Sequence, residues 1–203
     1  MVEDHSLAAK LFMVSGKLPG LTEGFCFYET PSGEKVNSRI LAAYLTAATI
    51  ENLSKQGALE YREAGLKAIG GEIPVLILNR KNIAGTGFER TFLEKLDTEK
   101  NLIELVKDII GGRYQIPEHQ LLWLVRSEFP HNEYTRQQEV GFFLFKRKET
   151  RWIPEKVKPL VDIWLPQLKP IWEDTLRLPW LKTAVRDFNF GLSSQKAFPK
   201  RQS

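Results

Sequence analysis

The chain carries one cysteine, Cys26, and three histidines, His5, His119 and His131. Neither a disulfide framework nor the paired ligand spacing of a structural zinc site is available to it. It also lacks a Walker loop, a Gly-x-Ser-x-Gly elbow, a His-Glu-x-x-His pair and a paired-cysteine motif. No enzymatic activity and no cofactor are expected. Long apolar runs are missing as well. The longest uncharged apolar-rich segment, Ile40 to Ile50, is about half of the ~20 residues that a bilayer-crossing helix needs. At the amino terminus, Glu3 and Asp4 stand where a secretory leader carries positive charge. The expected location is therefore cytoplasmic, with any membrane contact made from the surface. An excess of one charge is absent too: 29 Lys and Arg against 25 Asp and Glu leave +4. That balance permits an anionic partner and excludes a histone-like binder.

What remains is ordinary globular material. With 203 residues, 42% of them hydrophobic and 27% charged, the chain is long enough to bury a core. One domain is expected over residues 1–189, with its core between about 20 and 182 and a poorly ordered, Ser-, Gln- and Lys-containing tail at 190–203. The fold class read from the pattern is mainly α with two β-hairpins. A buried apolar central helix is surrounded by amphipathic helices, in winged-helix-like helix–hairpin units.

The central helix is delimited at both ends. Asn37 or Ser38 supplies an N-cap, and Gly57 supplies the left-handed residue that ends the helix after Gln56. Because Ile40 to Ile50 has no charge on any face, protein must surround it. Before this helix, Pro31-Ser-Gly33 reads as a turn after Phe25 to Tyr28. After it, Ala58 to Tyr61 and Ile73 to Leu78 read as strands of a hairpin with a long tip holding Gly65, Gly70 and Gly71. Thr86-Gly87 opens a helix through Leu96, and Leu102 to Ile110 forms another. Pro117 suits the first turn of a helix from Glu118 to about Phe129. The apolar run Val140 to Phe145 then faces Arg151 to Ile153 across a polar tip, Lys146 to Thr150. Prolines at 154, 159, 166, 170 and 179 imply several short helices in the last third, among Trp164, Trp172 and Trp180.

Four features invite a chemical reading. Gly85-Thr-Gly87 before a helix could present N–H groups to a phosphate, although no Lys-Ser or Lys-Thr follows, and a turn capped by Thr86 fits better. His119 and His131 lie near Glu118, Glu128 and Glu133, where solvated surface histidines are the simpler reading. Cys26, among Phe25, Phe27 and Tyr28, reads as a small buried apolar group. The most suggestive cluster is Lys146, Arg147 and Lys148 with Arg151 and Trp152, cations beside an interface-favouring aromatic. The three later tryptophans fit a core better than a membrane-facing wedge, though an aromatic docking face for a protein partner over 154–182 is a further reading.

Four stretches resemble the Golgi phosphoprotein family. They are Ile50-Glu-Asn-Leu-Ser-Lys-Gln-Gly-Ala-Leu-Glu-Tyr61, the Thr86-Gly87 turn with Phe88, Leu93 and Leu96, the helix Leu102 to Ile110, and Gly141-Phe-Phe-Leu-Phe145 leading to Trp152-Ile-Pro154. The resemblance implies a cytosolic, peripheral, non-enzymatic protein that recognises a phosphoinositide-like headgroup. At the positions where that family places its headgroup pocket, this chain offers Arg39 without a tryptophan, Thr46 in place of an arginine, and Arg113 and Arg126 at a different mutual spacing. The candidate headgroup-binding residues are thus Arg39, Arg113, Arg126, Lys146, Arg147, Lys148, Arg151 and Trp152. The partner expected is an anionic membrane surface, with protein partners or a homo-oligomer as additional readings and nucleic acid ranked below. All of this requires the cations to gather on one accessible face.

Overall fold

A computed structural model of the chain describes residues 5–21, 27–68, 71–110, 117–140 and 147–186. It is a helical assembly with small antiparallel sheets of two or three strands. Helix α1 (Leu7–Val14) leads through a 3-10 turn (Ser15–Lys17) to the hairpin β1 (Phe27–Glu29) and β2 (Lys35–Asn37). Helix α2 (Ser38–Lys55) follows directly. Strands β3 (Leu59–Ala68) and β4 (Gly71–Arg80) pair, and β5 (Lys100–Asn101) adds to the inner end of β4. Helix α3 (Gly87–Lys95) precedes β5, and α4 (Leu102–Ile110), α5 (Pro117–Arg126) and the short α6 (His131–Tyr134) come after it. The hairpin β6 (Thr135–Val140) and β7 (Arg147–Trp152) then leads into the long α7 (Pro154–Leu176), and helical backbone resumes at 181–186.

Helix α2 is central, as its composition demands. The Asn37 side chain accepts hydrogen bonds from the N–H groups of Arg39 and Ile40 at 3.0 and 3.1 Å, and Gly57 ends the helix with φ of 68°. Its two buried threonines are satisfied within the helix: Thr46 Oγ1 donates to the Ala42 carbonyl and Thr49 Oγ1 to that of Leu45. Around α2 pack α1, α5 and α7.

Helix α1 corrects the expected extent of the core. Ala8, Ala9, Leu11, Phe12, Met13 and Val14 are all fully buried, so the core begins well before residue 20. Only Lys10 interrupts an apolar surface that runs around the whole short helix, and such a helix must sit inside protein.

The last third also departs from expectation. In place of several short helices, α7 runs unbroken for 23 residues through Pro159, Pro166 and Pro170. At 100° per residue the three prolines fall within roughly 40° of one another. Val157, Val161, Trp164, Leu168, Trp172 and Thr175 occupy the opposite, buried side. The carbonyls that lose a donor, those of Glu155, Asp162 and Pro166, therefore belong to exposed residues, where water can replace the missing N–H. Trp164, Trp172 and Trp180 are 4%, 0% and 4% exposed, which removes both the membrane-wedge and the aromatic docking-face readings. Trp172 Nε1 donates to the Pro19 carbonyl at 2.9 Å.

Both larger hairpins pair differently from the sequence reading. Strands β3 and β4 stay in register from Leu59↔Arg80 to Ala68↔Gly71, so the expected long tip is paired strand. Pro74, which has no N–H to give a ladder, sits opposite Gly65, beyond the reach of β5. In the second hairpin the expected tip at 147–150 is part of β7, and the register closes at Val140↔Arg147. The polar run Thr135 to Glu139 supplies the partner strand. Residues 141–146, including Lys146, lie outside the described residues, as do Cys26, Arg113 and the expected tail at 190–203. Among the described residues no helix is long and apolar enough to cross a membrane.

Candidate functional site

The candidate cations occupy separate settings. Arg39, in the first turn of α2, donates through Nε to Glu118 Oε1 at 3.0 Å, at the amino end of α5. Glu118 is 1% exposed, and its other oxygen, Oε2, is buried without a partner. Thr46 lies in the core, so nothing in that stretch of α2 reproduces a headgroup pocket.

Arg126 closes the carboxyl end of α5, about 12 Å along the helix from Glu118. Its guanidinium carbon lies 5.0 Å from the Trp152 ring centroid, a cation–π contact. The Tyr28 phenol lies within the electrostatic reach of the same guanidinium, and Arg126 Nη2 is buried without a hydrogen-bond partner. Burial raises the Tyr28 phenol above its ordinary pKa, against the opposing pull of Arg126. Tyr28 also meets His119 edge-on at 5.6 Å. His119 is half-buried, with Nε2 enclosed and unpartnered, which corrects the solvated reading; desolvation lowers its pKa in spite of the Glu118 charge. Arg126 thus anchors Trp152, whose ring continues into the core through Phe12 and Phe129.

Arg151 and Trp152 line a groove of about 490 Å³ between the β1–β2 turn, the β6–β7 hairpin and the start of α7. Sequence reasoning missed the residue that defines it. Arg136 pairs with Arg151 across the ladder, so two guanidinium-bearing side chains leave directly opposed backbone positions on one face. Arg151 Nη2 reaches Glu149 Oε2 at 3.4 Å, whereas Arg136 has no carboxylate partner among the described residues. The remaining groove cations are tied off: Lys158 to Asp162 at 2.5 Å and Lys17 to Glu34. Glu29 also lines the groove and opposes an anion there. Lys148 is exposed and faces Glu139 in the ladder, and Arg147 begins β7 opposite Val140. The structure therefore sets Arg151 and Trp152 on one groove, adds Arg136 to it, holds Arg126 against the Trp152 ring, and leaves Arg39 elsewhere. Arg136 lay hidden because Thr-Arg-Gln-Gln-Glu-Val is polar on both faces and announces neither a strand nor a register.

A second polar cluster answers the Gly85-Thr-Gly87 question. The anion at the start of α3 is the protein's own Glu128. Its Oε1 accepts from Phe88 N at 2.7 Å and from Ser6 Oγ at 2.6 Å, and its Oε2 accepts from Ser6 N at 2.9 Å. Gly87, with φ of 50°, lies so close that a Cβ would collide with this carboxylate. Beside it Glu89, 5% exposed, accepts from Leu7 N at 3.2 Å and from Asn52 Nδ2 at 2.9 Å. Two carboxylates thus cap the amino ends of α1 and α3, where backbone N–H groups and the helix dipole favour negative charge. Thr86 occupies the N-cap position of α3 but makes no side-chain capping bond to it.

Comparison of the chain with family models, with curated proteins and with solved structures finds no match.

Proposed function

We propose that this is a non-enzymatic peripheral membrane or adaptor protein whose β6–β7 hairpin docks on anionic lipid headgroups. The observation that carries the reading is the Arg136–Arg151 pair. Like charges directly opposed on a ladder cost stability, and a bound anion relieves that repulsion. A preference for phosphoinositide-like headgroups is the further step implied by the resemblance to the Golgi phosphoprotein family. Arg147 and Lys148 add two further cations to the same strand in sequence, each surface cation contributing about 1 kcal/mol on an anionic leaflet. Attachment of that strength is reversible.

The winged-helix-like alternative, a nucleic-acid binder, draws less support. The outward side of α5 presents Trp123, 53% exposed, and its basic residue Arg126 is engaged by Trp152. Base reading requires donors and acceptors there.

Sedimentation with vesicles tests the proposal. Vesicles of phosphatidylcholine containing phosphatidylserine or a phosphoinositide should carry the protein down, neutral vesicles should not, and added salt should release it. The double variant Arg136→Glu with Arg151→Glu should stay in the supernatant. Equal binding to neutral vesicles, or full binding by the double variant, would overturn the reading.

A further inference from the structure

The groove beneath the two arginines has more than charge. Its floor comes from α7 and the residues before it: Val157 and Val161, 2% and 7% exposed, with Pro154 and the half-buried face of Trp152. Pro31 joins the lining from the β1–β2 turn. A flat headgroup-binding surface has no use for such a floor, whereas an apolar recess with a few polar groups at one edge is the usual construction of a small-molecule site. The volume of about 490 Å³ falls within the roughly 300–1,000 Å³ typical of such sites.

Charge decides which end of a ligand goes where. Lys158 and Asp162 hold each other, as do Lys17 and Glu34, so those rims are internally neutral. Arg136 is the groove cation left without a carboxylate among the described residues, and it shares one wall with Arg151. Two planar guanidinium groups on one wall suit a phosphate or carboxylate, each oxygen taking a charge-assisted hydrogen bond. Val157 and Val161 enter the lining from a different element, α7. We infer that the groove is a discrete binding site for a single anionic amphiphile, a phosphate or carboxylate joined to an apolar body, with the anion on Arg136 and Arg151 and the body over Val157, Val161 and Trp152. With the surface-docking reading it shares the Arg136–Arg151 pair alone; the apolar floor is independent of that reading.

Isothermal titration calorimetry on the full chain is the test, with octyl phosphate held below its micelle concentration as the probe. Octyl phosphate should bind one to one and at least about tenfold more tightly than inorganic phosphate, the gain from burying about two methylenes. Octyltrimethylammonium should not bind. Arg136→Gln should weaken octyl phosphate about tenfold. Val161→Thr, nearly equal in volume, should weaken octyl phosphate and leave inorganic phosphate unchanged. Equal affinity for octyl phosphate and inorganic phosphate overturns the inference, and so does octyl phosphate binding that ignores both substitutions. Vesicle sedimentation of the same preparations separates the two proposals. Arg136-dependent vesicle binding without octyl phosphate binding removes the groove ligand and keeps the docking surface; the reverse result keeps the groove and removes the surface.

Discussion

The two charged clusters of this protein use ionised groups in opposite ways. At the junction of α1 and α3, Glu128 and Glu89 are surrounded by donors from Ser6, Leu7, Phe88 and Asn52, so the charge is consumed by the fold. In the groove, Arg136 faces Arg151 and is left without a carboxylate among the described residues. A charge whose every partner belongs to the chain is structural. A charge that folding places beside its like is available for something outside the chain. The contrast separates an anion-binding helix start, already occupied from within, from an arginine pair on a ladder whose charge the described residues do not fully neutralise.

Mutation at the junction should give the largest effect. Glu128→Ala removes the acceptor for Ser6 N and Phe88 N together, and is expected to cost about 3 kcal/mol in chemical denaturation. Glu128→Gln retains one oxygen and should cost less. If alanine proves as mild as a surface substitution, the junction is not the structural half of the comparison.

A smaller effect is expected from pH. Burial, outweighing the N–H donors of Leu7 and Thr86 and the Asn52 amide and reinforced by the Glu128 charge, holds the Glu89 carboxyl above its ordinary pKa. Folding therefore takes up a proton there. Its contribution is fully present below the unfolded glutamate pKa and is lost as pH rises through the native value. His119 has the opposite slope, because its native pKa is lowered: its contribution is full above the unfolded imidazole value and is lost as pH falls below it. Melting curves between about pH 4 and 7 should show Glu89→Gln removing the component that weakens with rising pH. His119→Gln should remove the component that weakens with falling pH. An unchanged pH profile in both variants would remove these groups from the titration.

The smallest stability effect belongs to the groove. Arg136→Gln should leave the unfolding free energy within about 0.5 kcal/mol of the parent, or raise it slightly by removing the facing like charge. The same substitution should weaken vesicle binding about fivefold, the loss of one cation at an anionic leaflet. A marked loss of stability here would show Arg136 to be structural, as Glu128 is.

Parts of this arrangement were legible before any coordinates. Asn37 and Gly57 mark both ends of α2 because a cap and a left-handed terminator are local chemistry, read from single residues. The run of α7 was legible in principle. Prolines at 159, 166 and 170 repeat at helical spacing, and so do the residues they leave buried, but each proline taken alone reads as a break. The register of β6 and β7 was not legible, since a strand polar on both faces gives no pattern to align, and with it went Arg136. Nor was the burial of Glu89 and Glu128, whose donors lie 82 and 122 residues away in the chain. Such partnerships belong to the tertiary structure alone.

The clasp between Ser6 and Glu128 also sets a schedule. During synthesis the carboxylate that ties down the start of α1 follows Ser6 by 122 residues, and the packing partner α7 comes later still. At roughly 5–20 residues per second that interval is on the order of ten seconds. Throughout it Leu11, Phe12, Met13 and Val14 have no finished interior to enter. The nascent chain therefore presents this apolar segment well before the elements that shelter it, an interval in which a chaperone has an exposed apolar helix to hold.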